Sequence, residues 1–213
     1  MCSRFESPTA AELAAAFGVD MGDYAQQDIF PGYSAPFLRL ASPEAAEEGV
    51  SFEAEMGVFG LLPPWAKDMK LARNTFNARS ETIAEKPSFR SAWRRAQHCI
   101  IPARAIYEPD WRSGKAVATR ICRADGELMG IAGLWERWKS PDAGTVHSFT
   151  MITINADEHS LMRNFHRPGQ EKRMVVILPK GAYKEWLRAT MEVSLDFLRE
   201  YPADRMISLG HPE

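Results

Sequence analysis

Apolar and polar residues alternate in short runs along most of this chain, the period of half-buried strands. Such runs cover residues 37–40 and 56–62, Cys99–Ile101, Ala105–Tyr107 and Ser148–Ile154, and a more apolar run covers Arg173–Leu178. Pro63-Pro64 closes the second run, because proline offers no N–H to a ladder. Helical spacing is rarer. Ser7-Pro8 before an Ala/Glu/Leu stretch to Phe17 predicts a capped helix with proline in its first turn. Residues 83–97, with Phe89, Trp93 and Arg94-Arg95, predict a short helix. Pro179-Lys180-Gly181 opens another around Tyr183–Arg188, and a last one is expected over Leu195–Glu200. Val117–Arg123, the turn Ala124-Asp125-Gly126-Glu127 and Leu128–Leu134 read as a β-hairpin, since Asp-Gly supplies the positive φ of a tight turn. Pro31-Gly32 and Ala41–Gly49 read as loops. Many short strands with few helices, no repeat and no linker indicate an α+β protein, a single domain over residues 1–213.

Composition narrows the class. With 45% hydrophobic and 25% charged residues among 213, the chain is far from the disordered regime. No apolar run approaches the ~18–20 residues of a membrane span. Met1-Cys2-Ser3-Arg4-Phe5-Glu6 lacks the basic and apolar regions of a secretory leader. Cys2, Cys99 and Cys122 are too widely spaced for a disulfide framework or a paired-cysteine zinc site, and His98-Cys99 has no second pair beside it. The expectation is a reduced, cytoplasmic protein with no bound metal.

The net charge of −2 conceals an asymmetry. Residues 1–66 hold two basic and ten acidic residues, whereas residues 67–123 hold thirteen basic and five acidic ones. A basic middle third is the footprint of a face that meets phosphates, or else a surface balanced by the acidic first third.

Four places carry candidate chemistry. Cys2 follows the initiator methionine, and removal of Met1 would leave a thiol and an α-amine on adjacent carbons. An amine of pKa about 7.7–8.0 beside a thiol of about 8.5 gives both a reactive fraction near neutrality. With an aldehyde the pair closes a thiazolidine; with an amide the amine serves as the thiol's base. A frayed terminus with an incidental cysteine is the plain alternative. Asn77 and Arg79, in Asn74-Thr75-Phe76-Asn77-Ala78-Arg79-Ser80-Glu81-Thr82, offer an amide and a planar donor fork suited to phosphate. Glu108 ends an apolar strand, where desolvation would raise a carboxylate toward general-acid use, although a surface glutamate at a strand end is the more frequent case. His166, in Asn164-Phe165-His166-Arg167, is flanked by arginines and precedes an apolar strand; a lone histidine is more often structural or solvated.

In order along the chain, these pieces resemble the SOS response-associated peptidase family, whose members carry the SRAP domain. The matching segments are Cys2 with Arg4-Phe5; Phe59-Gly60-Leu61-Leu62-Pro63-Pro64-Trp65-Ala66-Lys67; Asn77-Ala78-Arg79-Ser80-Glu81-Thr82; and Phe89-Arg90-Ser91-Ala92-Trp93. They continue with Cys99-Ile100-Ile101-Pro102-Ala103 leading to Tyr107-Glu108, Ile131-Ala132-Gly133-Leu134-Trp135-Glu136, and His166 with Arg173-Met174-Val175-Val176-Ile177-Leu178. The resemblance spans residues 2–188. It implies a mostly antiparallel, β-barrel-like core with peripheral helices, acting on abasic sites in single-stranded DNA without cofactor, as a monomer with no obligate protein partner. It further implies that the mature Cys2 attacks the ring-opened sugar aldehyde and leaves a thiazolidine DNA–protein crosslink. Asn77 would hold the amine or the sugar, Glu108 would shuttle protons and His166 would assist ring opening. Arg4 and Arg79 would bind DNA, and Trp65 would stack on a base or wedge against it. The peptidase name fits removal of the residue before the cysteine. An N-terminal-nucleophile peptidase or amide hydrolase using Cys2, His166 and Asn77, and a non-catalytic nucleic-acid-binding module, are the alternative readings.

The chain departs from the family pattern in four places. Ser3 stands where glycine is usual, Ala105-Ile106-Tyr107 and Pro109-Asp110 surround Glu108, and Arg167–Lys172 lengthens the link between His166 and Arg173. The usual closing motif is missing after Trp186.

Overall fold

The computed structural model describes residues 2–43, 47, 51–142 and 144–210. Its first half contains β1 (Phe5–Glu6), α1 (Ala10–Phe17), β2 (Asp28–Ile29), β3 (Ser34–Leu40), β4 (Phe52–Phe59), β5 (Asn77–Arg79), α2 (Arg90–Arg94) and β6 (His98–Ala103). The second half adds β7 (Ala105–Asp110), β8 (Val117–Arg123), β9 (Met129–Ser140), β10 (Gly144–Asn155), β11 (Arg173–Val175), β12 (Ile177–Leu178), α3 (Tyr183–Arg188), α4 (Met191–Ser194) and β13 (Met206–Leu209).

Strands β10, β4, β3, β6 and β9 are joined edge to edge, and β9 pairs back onto β10, so this sheet closes into a five-stranded barrel. Closure leaves no free edge within the ring. All its pairings are antiparallel except β10 with β4. Beyond Phe149, strand β10 outruns β4 and takes β5 on the same edge in parallel, while β11 joins its other edge from Thr153 to Asn155. A second, antiparallel sheet runs β13-β8-β7-β1-β2. The α+β class with a barrel-like core expected from the sequence is the architecture observed.

An aromatic cluster joins the two sheets. Phe5 of β1 is fully buried and meets the Phe59 ring edge-on at 5.2 Å, and Phe59 stacks on Phe149 at 5.5 Å. Such pairs add about 0.5–1.5 kcal/mol each beyond the area they bury. Gly60 follows Phe59 at φ +124°, where a Cβ would stand 2.1 Å from the carbonyl oxygen of Ala72, so the Phe-Gly-Leu-Leu segment turns where no side chain fits.

Several local expectations are corrected. The helix starts at Thr9, whose hydroxyl accepts from the Glu12 N–H while the Glu12 carboxylate accepts from the Thr9 N–H, so Pro8 lies before the cap and not in the first turn. The turn at Asp125-Gly126 forms, with Gly126 at φ +74°, but its flanking strands are not hairpin partners. β8 pairs with β7 and β13, while β9 pairs with β6, β10 and β12, so this turn carries the chain from one sheet to the other. Arg173–Leu178 divides at Val176 into β11 on β10 and β12 on β9. The strand expected at 56–62 is β4, which ends at Phe59, and where a helix is expected over Leu195–Glu200 only a 3-10 turn at Leu195–Phe197 forms, directly after α4. The loop expected at Ala41–Gly49 lies largely outside the described residues.

Candidate functional site

Three separate parts of the chain meet beside the start of β1. Cys2 is 1% exposed, and its thiol donates to the carbonyl of Arg4 at 3.4 Å. Burial pushes that thiol well above its ordinary range, and the nearby charge of Glu108 adds to the effect. The Asn77 side-chain N–H donates to the Cys2 carbonyl at 2.7 Å. Parallel pairing of β5 with β10 places Asn77 there, because strand alternation turns Ala78 into the core and sends Asn77 and Arg79 to the opposite face. Asn77 Oδ1 is buried and has no hydrogen-bond partner among the described residues. A buried acceptor left open in this way marks a place for a donor.

Glu108 on β7 is 2% exposed, and burial raises its carboxyl to about 7. His166 faces it, with Nε2 at 3.4 Å from Oε2 and 3.2 Å from the Arg173 carbonyl oxygen. Burial lowers His166 to about 4, so the ring is neutral at pH 7. Facing a carbonyl and a carboxylate, Nε2 carries the ring proton. His166 adopts φ +62°, held by its N–H donating to the Pro109 carbonyl at 2.8 Å and by a bridge between Phe165 and Asp110. The loop after Met162 is therefore pinned to β7 next to Glu108. A carboxylic acid poised near neutrality beside a neutral imidazole and a buried cysteine is equipped for proton transfer to and from a carbonyl.

The three residues expected to touch DNA are arranged differently. Arg79 is half exposed at the rim and donates to Glu171 at 2.7 Å. Arg4 lies 3.8 Å over the ring of Tyr107 and pairs with Asp28 at 2.7 Å, so it is partly occupied inside the protein. Trp65 is 56% exposed and stands outside the Cys2 cluster, over a cavity of about 510 Å³ bounded by Pro64, Pro87, Ser91, Arg90, Arg94 and Arg95. Arg90 and Arg94 have no ion pair among the described residues, whereas Arg104 and Arg120 pair with Glu12 and Glu6. The acidic first third thus neutralises part of the basic middle, and uncompensated charge gathers beside Trp65.

Sequence reasoning missed several residues here. Phe30 and Tyr33 are exposed rings 5.7 Å apart, with Arg4 at 5.7 Å from Phe30, and a Pro-Gly loop gave no hint of them. Arg173 is 2% exposed, clamped in bidentate fashion by Glu81 at 2.8 and 2.9 Å. Ser3, in the glycine position, is not strained: among the described non-glycine residues only Ala96 and His166 have positive φ. Among the described residues no group of three metal-ligating side chains occurs, and no helix is long and apolar enough to cross a membrane.

Residues 1–209 match the family model described as SOS response associated peptidase (SRAP). The abasic site processing protein YoqW of Bacillus subtilis (strain 168) is 38% identical over 152 residues, covering 70% of this chain and 64% of the relative. The abasic site processing protein HMCES of Xenopus tropicalis is 28% identical over 176 residues, covering 72% of this chain and 48% of the relative. The chain thus matches less than two thirds of the length of these curated relatives. A crystal structure of a protein from Bordetella bronchiseptica is 44% identical and superposes with a TM-score of 0.89, covering 100% of both chains. One from Bacteroides thetaiotaomicron, 23% identical with a TM-score of 0.79 over 98% and 91% of the two chains, has the same fold.

Proposed function

From the premise that the chain belongs to the SOS response associated peptidase (SRAP) family, we propose that it processes abasic sites in single-stranded DNA by crosslinking to them through Cys2. The observation that carries this reading is the convergence of Cys2, Asn77, Glu108 and His166, with Glu108 raised to about 7 by burial. The similarity to proteins named for abasic site processing supports it.

The sequence of steps follows from what each group can do. Removal of Met1 frees the Cys2 amine. His166, neutral and carrying its proton on Nε2, moves a proton as the abasic sugar opens to its aldehyde. The amine adds to the aldehyde carbon, and protonated Glu108 gives its proton to the hydroxyl that departs as water, leaving an iminium. The thiol then forms the carbon–sulfur bond, and its proton passes to the Glu108 carboxylate, which restores the acid. Asn77 holds the terminus through the Cys2 carbonyl, and its open Oδ1 accepts from the amine or a sugar hydroxyl. No cofactor enters this sequence, which a single cytoplasmic monomer completes. A cysteine hydrolase would need a thiolate, and burial beside Glu108 disfavours that form.

Intact-mass spectrometry of protein lacking Met1, incubated with an abasic oligonucleotide, tests the proposal. Wild-type protein should give a heat-stable adduct without reductant, while Cys2→Ser and Cys2→Ala should give adducts only after borohydride trapping. A stable, reductant-free adduct from Cys2→Ala, or a retained Met1 in active protein, would overturn it.

A further inference from the structure

The lengthened link between His166 and Arg173 carries an anion back onto the rim of the site. Gly169 turns it at φ +79°, the Gln170 N–H donates to the Arg167 carbonyl, and the Lys172 N–H donates to Asp157 at 2.8 Å. Between these anchors Glu171 reaches across two guanidinium groups. One of its oxygens accepts from Arg79 at 2.7 Å; the other accepts from Arg173 at 2.7 Å and from the Asn155 amide at 3.4 Å. This is the donor set a phosphate oxygen pair would use: an N–H from each of two guanidinium groups and an amide converging on one side.

Arg173 does not depend on Glu171 for neutralisation. Glu81 already clamps it in bidentate fashion, and the Thr153 carbonyl accepts from it at 2.7 Å. The Glu171 side chain is 36% exposed and that of Arg79 46% exposed, so the contact between them faces solvent, where DNA would arrive. The hydrogen bond from Arg173 holds the Glu171 carboxyl below its ordinary range and keeps it charged.

We propose that Glu171 occupies the seat of a DNA phosphate at Arg79, so that it weakens binding to undamaged single strands and acts as a determinant of selectivity. This rests on the function proposed above: the weaker binding to undamaged strands on its DNA-binding part, and the selectivity on its chemistry at Cys2. A phosphate that engages Arg79 must displace the carboxylate, whose backbone stays anchored on both sides while the side chain turns outward. DNA held additionally through a damaged sugar at Cys2 tolerates that competition better than DNA held by its phosphates alone.

Glu171→Gln keeps an oxygen for Arg173 and Asn155 and removes the charge. Affinity for an undamaged single-stranded oligonucleotide, read by fluorescence anisotropy over a salt series, should rise about two- to fivefold in this variant, the range of an exposed ion pair. In an Arg79→Ala background the same substitution should give no gain, because a double-mutant cycle isolates the contact from general charge effects. Unchanged or weaker binding by Glu171→Gln, or an equal gain with and without Arg79, would overturn the proposal. Adduct formation with an abasic oligonucleotide, measured on the same samples, reads the crosslinking function separately: its absence refutes that chemistry without altering the affinity comparison.

Discussion

Replacing Glu108 by glutamine should slow crosslinking and, at neutral and alkaline pH, make the protein more stable. Burial lifts this carboxyl from 4.5 to about 7. Each tenfold change in proton affinity corresponds to about 1.4 kcal/mol, so holding the ionised form in the folded state costs about 3 kcal/mol. The sign follows from proton counting. Between 4.5 and about 7 the folded protein keeps a proton that the unfolded chain has released, so wild-type stability falls as pH rises through this window. Below it both states are protonated and the penalty vanishes. His166, lowered from 6.5 to about 4, works in the opposite sense, because its unfolded state takes up the proton first as pH falls. Above the ordinary histidine value of 6.5 the ring is neutral in both folded and unfolded chains, so the upper end of the gap reads Glu108. The stability gap between variant and wild type should therefore grow from near zero at about pH 4 to a limit of about 3 kcal/mol at about pH 8, reduced by whatever hydrogen bonding the amide forgoes. Urea unfolding of both proteins, each lacking Met1, at several pH values measures it. The rate of adduct formation should drop by about 10²–10⁴, the contribution typical of a general acid–base group. A gap that does not vary with pH, or a wild type that is the more stable at high pH, would refute the desolvated-acid account of Glu108.

Asn77→Ala removes the amide that donates to the Cys2 carbonyl, a buried hydrogen bond worth about 1 kcal/mol, and should slow adduct formation by about tenfold or more while DNA affinity holds. Affinity lost in proportion to rate would make Asn77 a DNA contact instead. Arg90→Ala with Arg94→Ala should weaken binding to undamaged single strands and reduce the salt slope by about two contacts, leaving the adduct rate at saturating DNA unchanged. An unaltered slope would place the cavity beside Trp65 outside the DNA path.

The sequence revealed the strand-rich class and four residues that the fold brings close together more readily than the pairing. The Asp125-Gly126 turn was legible because it depends only on two residues, yet turn chemistry says nothing about which sheet each flanking strand joins. β8 and β9 both alternate suitably, and the choice was made by long-range contacts with β7 and β6. β13 escaped notice because Ile207 and Leu209 remain 41% and 47% exposed, so its alternation is weak. Cys2, Asn77, Glu108 and His166 stood out as residue types in recognisable segments. Glu171 did not, since a single glutamate in a polar link has no local signature, and Arg173, although within such a segment, gave no sign of its burial, since arginine is rarely buried. Only the folded chain brings Glu171, Arg79 and Arg173 together.

The position of Phe5 bears on how the protein would take mechanical load. Three residues past Cys2, its backbone lies between β2 and β7 and its ring is wedged against the barrel at Phe59 and Phe149. With DNA tethered at Cys2 as proposed above, tension on the strand would pull on β1 first. Tension would then have to shear β1 from both neighbours and withdraw an aromatic ring from the join between the sheets. Cys2 is thus backed by an interior anchor instead of a loose tail, and forced unfolding from that end would dismantle the joint between sheet and barrel at the outset.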